Sequence, residues 1–81
     1  MTVRMAAFSI FYRSGPGDTY VLVQHDCRVP LSGRSDEHAT VFEDALKKHA
    51  PIRNGDFIVQ NNSSYSLRTF RVRTERTITE S

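Results

Sequence analysis

Tyr65-Ser66-Leu67-Arg68-Thr69-Phe70-Arg71-Val72-Arg73-Thr74-Glu75-Arg76 is the stretch from which the rest of the chain is read. It has the alternation of a long strand: Phe70 and Val72 share one parity, while Arg71 and Arg73 share the other with Tyr65. One side of such a strand is tied to a core and the other shows guanidinium groups. A strand of this kind needs a paired neighbour and an apolar cover, and the residues upstream supply both.

Immediately before it, Asn61-Asn62-Ser63-Ser64 has the composition of a hairpin loop, and Phe57-Ile58-Val59-Gln60 reads as the partner strand. Arg53-Asn54-Gly55-Asp56 reads as the tight turn that leads into it. Further upstream, Val41, Phe42, Ala45 and Leu46, with His38 and His49, recur at helical spacing over Asp36 to His49. Ser35 is the expected N-cap and Pro51 the expected stop. Glu43 with Lys47 and Asp44 with Lys48 fall at i,i+4 in the favourable order, worth about 0.2–0.5 kcal/mol each, and read as a solvated face.

At the N-terminal end, Arg4 to Arg13 alternates with Ala6, Phe8, Ile10 and Tyr12 on one parity. Ser14-Gly15-Pro16-Gly17-Asp18 is a turn signal, and Thr19 to His25 is a second strand that extends toward Val29, with Pro30 fit only for an edge or an end. The expected fold is α+β: a four-stranded antiparallel sheet with one helix packed on one face, in the order β-β-α-β-β. A single domain spans 1–81, with 77–81 expected to fray.

The chain has 81 residues, eight of them aromatic, and one cysteine, so Cys27 has no intrachain disulfide partner and packing must hold the fold together. A reducing, cytoplasmic setting fits that usage. The apolar N-terminal run is too short and too alternating for a signal peptide, and nothing approaches the roughly 20 apolar residues of a membrane span. The net charge of +2 lies wholly in the last 21 residues, where Arg68, Arg71, Arg73 and Arg76 face Glu75 and Glu80. Acids and bases cancel elsewhere, which is a local basic strand on a neutral body, short of the broad patch of a dedicated DNA-binding domain.

No catalytic, cofactor or metal site is expected. His25-Asp26-Cys27 carries the right groups, but on a strand His25 and Cys27 share a face while Asp26 points away. Zinc needs three or four ligands, and a thiol nucleophile needs a base and an oxyanion hole. Gly15-Pro16-Gly17 precedes a strand, not a helix, so it forms no phosphate cradle.

One helix covers one face of such a sheet, here through Phe8, Ile10, Val21, Val23, Phe57, Val59, Phe70 and Val72. The opposite parity still carries Phe11, Tyr20, Leu22, Ile58 and Leu67, unless a bulge near Arg68 turns Leu67 and Phe70 to the same side. A curled sheet that partly covers itself is one account of this second apolar face, and an interaction surface, which large exposed apolar area marks, is the other. The expected function is therefore non-enzymatic binding of a protein partner, self-association into a homodimer included, through Phe11, Tyr20, Leu22, Tyr65, Arg71 and Arg73. The alternative is nucleic-acid binding, with Tyr65 stacking beside Arg71 and Arg73. The RNA-recognition motif is excluded, because the second aromatic and the glycine of its third strand are missing and the strand order differs.

A strand pair, a helix with Phe42-x-x-Ala45-Leu46, then Gly55-Asp56-Phe57-Ile58-Val59 and a closing Phe70-Arg71-Val72 together resemble the small accessory proteins of bacteriophages, particularly actinobacterial phages. The resemblance spans most of the chain and rests on apolar spacing. It implies a host-directed binding or inhibitory protein, or a small virion or regulatory part.

Overall fold

A computed structural model describes residues 4–31, 38–50, 53–73 and 78–80. Strands β1 (Arg4–Arg13) and β2 (Val21–Leu31) precede helix α1 (His38–His49), and β3 (Gly55–Asn61), β4 (Leu67–Val72) and β5 (Ile78–Glu80) follow it. They form one antiparallel sheet in the order β2-β1-β3-β4-β5. The α+β class and the element order agree with the sequence, and a fifth strand is added.

That strand corrects the reading of the C-terminus. The basic stretch is not one long strand: β4 ends at Val72, and Ile78–Glu80, expected to fray, pairs back on it with Val72 opposite Ile78 and Phe70 opposite Glu80. Ile78 lies against the core, so its apolar contact accounts for the ordered pairing. Ser35 and Pro51, expected to bound the helix, lie outside the described residues.

The core fills the space between α1 and one face of the sheet. Ala6, Phe8 and Ile10 from β1, Cys27 and Val29 from β2, Phe57 and Val59 from β3, and Phe70 and Val72 from β4 are buried there against Val41, Phe42, Ala45 and Leu46. Period 2 on the strands meets period 3.6 on the helix at the ring of Phe42, which stands edge-on to Phe8 with centroids 4.9 Å apart. The solvated side of α1 carries the Glu43–Lys47 pair at 2.9 Å.

The connection from β1 to β2 folds as its residues dictate. Pro16 takes the second turn position and Gly17, at φ 94°, the third, as a type II turn requires, and the Asp18 amide donates to the Gly15 carbonyl. Ser14 also donates to the Asp18 carboxylate. At the other end of the sheet, the Asn61 side chain accepts from the Ser63 and Ser64 amides, an Asx turn that starts the β3–β4 hairpin loop.

The irregularity of the sheet is on β2, not near Arg68. The β3–β4 register is unbroken, so Leu67 stays out while Phe70 goes in. Against β1, however, β2 carries two extra residues: Phe8 pairs with Cys27, Ile10 with Gln24, and Phe11 with Leu22. Asp26, at φ 56°, takes the left-handed conformation within the first irregularity. Each extra residue inverts the parity that follows it, which is why strict alternation misplaces this strand.

Among the described residues no helix is long and apolar enough to cross a membrane.

Candidate interaction face

The face of the sheet away from α1 is built in rows by the strand register. One row runs Leu22, Phe11, Ile58, Thr69 across β2, β1, β3 and β4. The next runs Arg13, Asp56, Arg71, Thr79 across β1, β3, β4 and β5. An apolar row and a charged row thus lie side by side, two residues or about 7 Å apart along the strands.

Leu22 is 51% exposed, and Phe11 and Ile58 are half-buried. Met5 and Leu67 point to the same face and are also exposed, so it holds three of the five large apolar side chains that stand in solvent among the described residues. The other two are Val21, which shares the Tyr12 side of the sheet yet is not covered, and Tyr65 in the hairpin loop.

The charged row centres on Asp56, whose side chain is only 7% exposed. Its Oδ2 accepts from Arg13 Nε at 2.9 Å and its Oδ1 from Arg71 Nε at 3.3 Å. A buried carboxylate is tolerated because two cations share it. The Arg13 guanidinium in turn lies 4.7 Å from the centre of the Tyr20 ring. On the other side of the sheet Tyr12 packs on Phe57, donates its hydroxyl to the Asn54 carbonyl at 2.7 Å, and lies beneath the Arg53 guanidinium at 4.0 Å. Gly55 is needed at this point: at φ 148° an added Cβ would sit 2.5 Å from both the Arg13 carbonyl and the Tyr12 ring.

An open cleft of about 290 Å³ lies at this end of the sheet, with Ser14 and Pro16 on one side and Asn54, Asp56, Arg71 and Arg73 on the other. No family model, curated protein or solved structure matches this chain. The reading of the site therefore rests on its own geometry.

Of the six residues expected to form an interaction surface, Phe11, Leu22 and Arg71 share the helix-free face, Tyr20 joins it through Arg13, and Arg73 lines the adjoining cleft. Tyr65 does not join them. It lies outside β4, with φ 61° in the loop that follows Asn61, so strand parity does not reach it. The four residue steps from Leu67 to Arg71 alone extend about 13 Å, which puts Tyr65 and the pair Arg71 and Arg73 at opposite ends of the strand.

Two further expectations are corrected. His25 and Cys27 do not share a face, because Asp26 intervenes as an extra residue. His25 turns to the helix-free face, with Nδ1 3.4 Å from Ser9 Oγ, while Cys27 is buried under the helix and donates its thiol to the Phe8 carbonyl at 3.1 Å. Burial pushes the Cys27 thiol up from its ordinary range. The second concerns Asp56, assigned to a turn by the sequence but lying in a central strand between two arginines. A charge inside the run Gly55-Asp56-Phe57-Ile58-Val59 was the available signal, since a carboxylate in a buried strand requires a cationic partner. Among the described residues no cluster of three His, Cys, Asp or Glu has the spacing to hold a metal ion.

Proposed function

We propose that this chain is a small non-enzymatic binding module that takes a protein partner on the helix-free face of its sheet, in the manner of a phage-type host-directed protein. The observation that carries the reading is the apolar row Leu22, Phe11, Ile58 on the face away from α1, with Leu22 half in solvent and Phe11 and Ile58 half-buried beside the Arg13–Asp56–Arg71 row. Apolar and aromatic side chains flanked by arginine are the composition of a protein-binding patch. The resemblance to phage accessory proteins directs the search to a bacterial host protein. The nucleic-acid alternative relies on Tyr65 stacking beside Arg71 and Arg73, and Tyr65 lies beyond the opposite end of β4.

The test is affinity capture from nuclease-treated bacterial lysate with the tagged chain and with Leu22→Asp. Leu22 is exposed, so the variant should melt within a few degrees of the parent. The reading expects a captured protein that survives nuclease and is lost with Leu22→Asp. Equal capture by both chains, or capture that disappears on nuclease treatment, overturns it.

A further inference from the structure

The cleft at the end of the charged row bears on the chemistry of the partner, on the assumption that the binding reading above holds. Among the described residues, this end of the sheet gathers Arg13, Arg53, Arg71 and Arg73 with Asp18 and Asp56. Asp56 is already committed to Arg13 and Arg71. The Arg71 bond to it uses Nε, and a guanidinium carries four more N–H donors on its Nη atoms. Arg73 lines the same cleft, is exposed, and pairs with no carboxylate among the described residues. Two guanidinium groups therefore border a cleft of about 290 Å³.

We infer that the partner is an acidic peptide segment, in which one aliphatic or aromatic side chain rests on the Leu22, Phe11, Ile58 row and a carboxylate enters the Arg71 and Arg73 cleft. Arg71, at the near edge of the cleft, stands in the row about 7 Å from the apolar row, which is the separation of residues i and i+2 on one side of an extended segment. A carboxylate matches the planar donors of arginine in a bidentate way. A nucleic-acid backbone fits less well, because its repeating phosphates need a run of cations and the neighbouring apolar row offers them nothing.

The test is NMR titration of the ¹⁵N-labelled full chain with three probes. These are an acetylated, amidated octapeptide bearing leucine and glutamate two residues apart, the same peptide with glutamine for glutamate, and sodium phosphate. The glutamate peptide should shift the amides of Gly55, Asp56, Arg71 and Arg73 together with those of Phe11 and Leu22, in a saturable way. Its glutamine counterpart and the Arg73→Gln variant should each weaken binding about tenfold, the worth of one charge-assisted hydrogen bond. Equal binding of the two peptides, no shift at the cleft, or an equally strong response to phosphate alone overturns the inference. Leu22-dependent capture of a lysate protein that persists in Arg73→Gln would remove the acidic segment and leave the binding module standing; absence of Leu22-dependent capture would remove the module itself.

Discussion

Replacing Asp56 by asparagine tests the charged row without leaving a cavity. The side chain keeps its shape and one carbonyl acceptor, but loses the charge shared by Arg13 and Arg71. A hydrogen bond to a charged group contributes roughly 1.5–3 kcal/mol when its partners are desolvated. Here the discount differs for the two arms: Arg13 is 27% exposed at 2.9 Å, whereas Arg71 is 47% exposed at 3.3 Å and exchanges more easily with water. Allowing about 1.5 kcal/mol for the first and about 0.5 for the second gives a loss of about 2 kcal/mol. A domain of this length has roughly 4–12 kcal/mol in total, so the variant stays folded. Urea denaturation followed by circular dichroism reads the effect. With a slope of about 1 kcal/mol/M, the midpoint should fall by about 2 M. A double-mutant cycle should give a larger coupling of Asp56 to Arg13 (through Arg13→Met) than to Arg71 (through Arg71→Met). A loss under about 0.5 kcal/mol, or coupling equal for the two arginines, would refute the claim that Asp56 is a buried anchor held chiefly by Arg13.

Other perturbations address the backbone and the buried thiol. Gly55→Ala should cost about 2–4 kcal/mol, because the new methyl meets the Arg13 carbonyl and the Tyr12 ring at 2.5 Å, and thermal melting reads it directly. Tyr65→Gly should be neutral or stabilising by up to about 1 kcal/mol, since it relieves a left-handed residue in an exposed loop, while Tyr65→Val should destabilise; chemical denaturation separates the two. With burial raising the Cys27 thiol, the folded chain holds that proton to higher pH than the unfolded chain does. The associated stability is full below about pH 8.5 and declines as pH rises beyond it, and Cys27→Ala should flatten that decline in melting curves taken between pH 8 and 10.

Much of the fold was legible because its core side obeys simple periods. Phe8, Ile10, Phe57, Val59, Phe70 and Val72 alternate without interruption, and all are buried where alternation puts them. β2 was less legible because its two extra residues are specified by pairing with β1, not by any residue type; Asp26 tolerates the left-handed conformation but does not announce it. β5 is not legible in the sequence because a three-residue strand carries almost no pattern, with Ile78 as its contact to the core. On the helix-free face, Phe11, Leu22 and Arg71 were found by parity alone. Arg13 and Asp56 were not, since a cross-strand ion pair depends on strand order, which hydrophobic spacing leaves open. Tyr65 was misplaced for a related reason: the Asx turn at Asn61 delays the start of β4 beyond it.

The central position of β1 governs how the chain can fold. β1 and β2 are neighbours in sequence and can pair early, but β1 must also pair with β3, with Phe8 opposite Asn61 and α1 lying between them in the chain. That closure spans most of the protein, so the rate-limiting step should join ends that are far apart, as in slow folders rich in distant contacts. During synthesis the β1–β2 hairpin leaves the ribosome with the inner edge of β1 unpaired until β3 arrives. Ser9, Phe11 and Arg13 are then open to other chains, and a chaperone that shields this edge should raise the yield more than one acting on the finished domain.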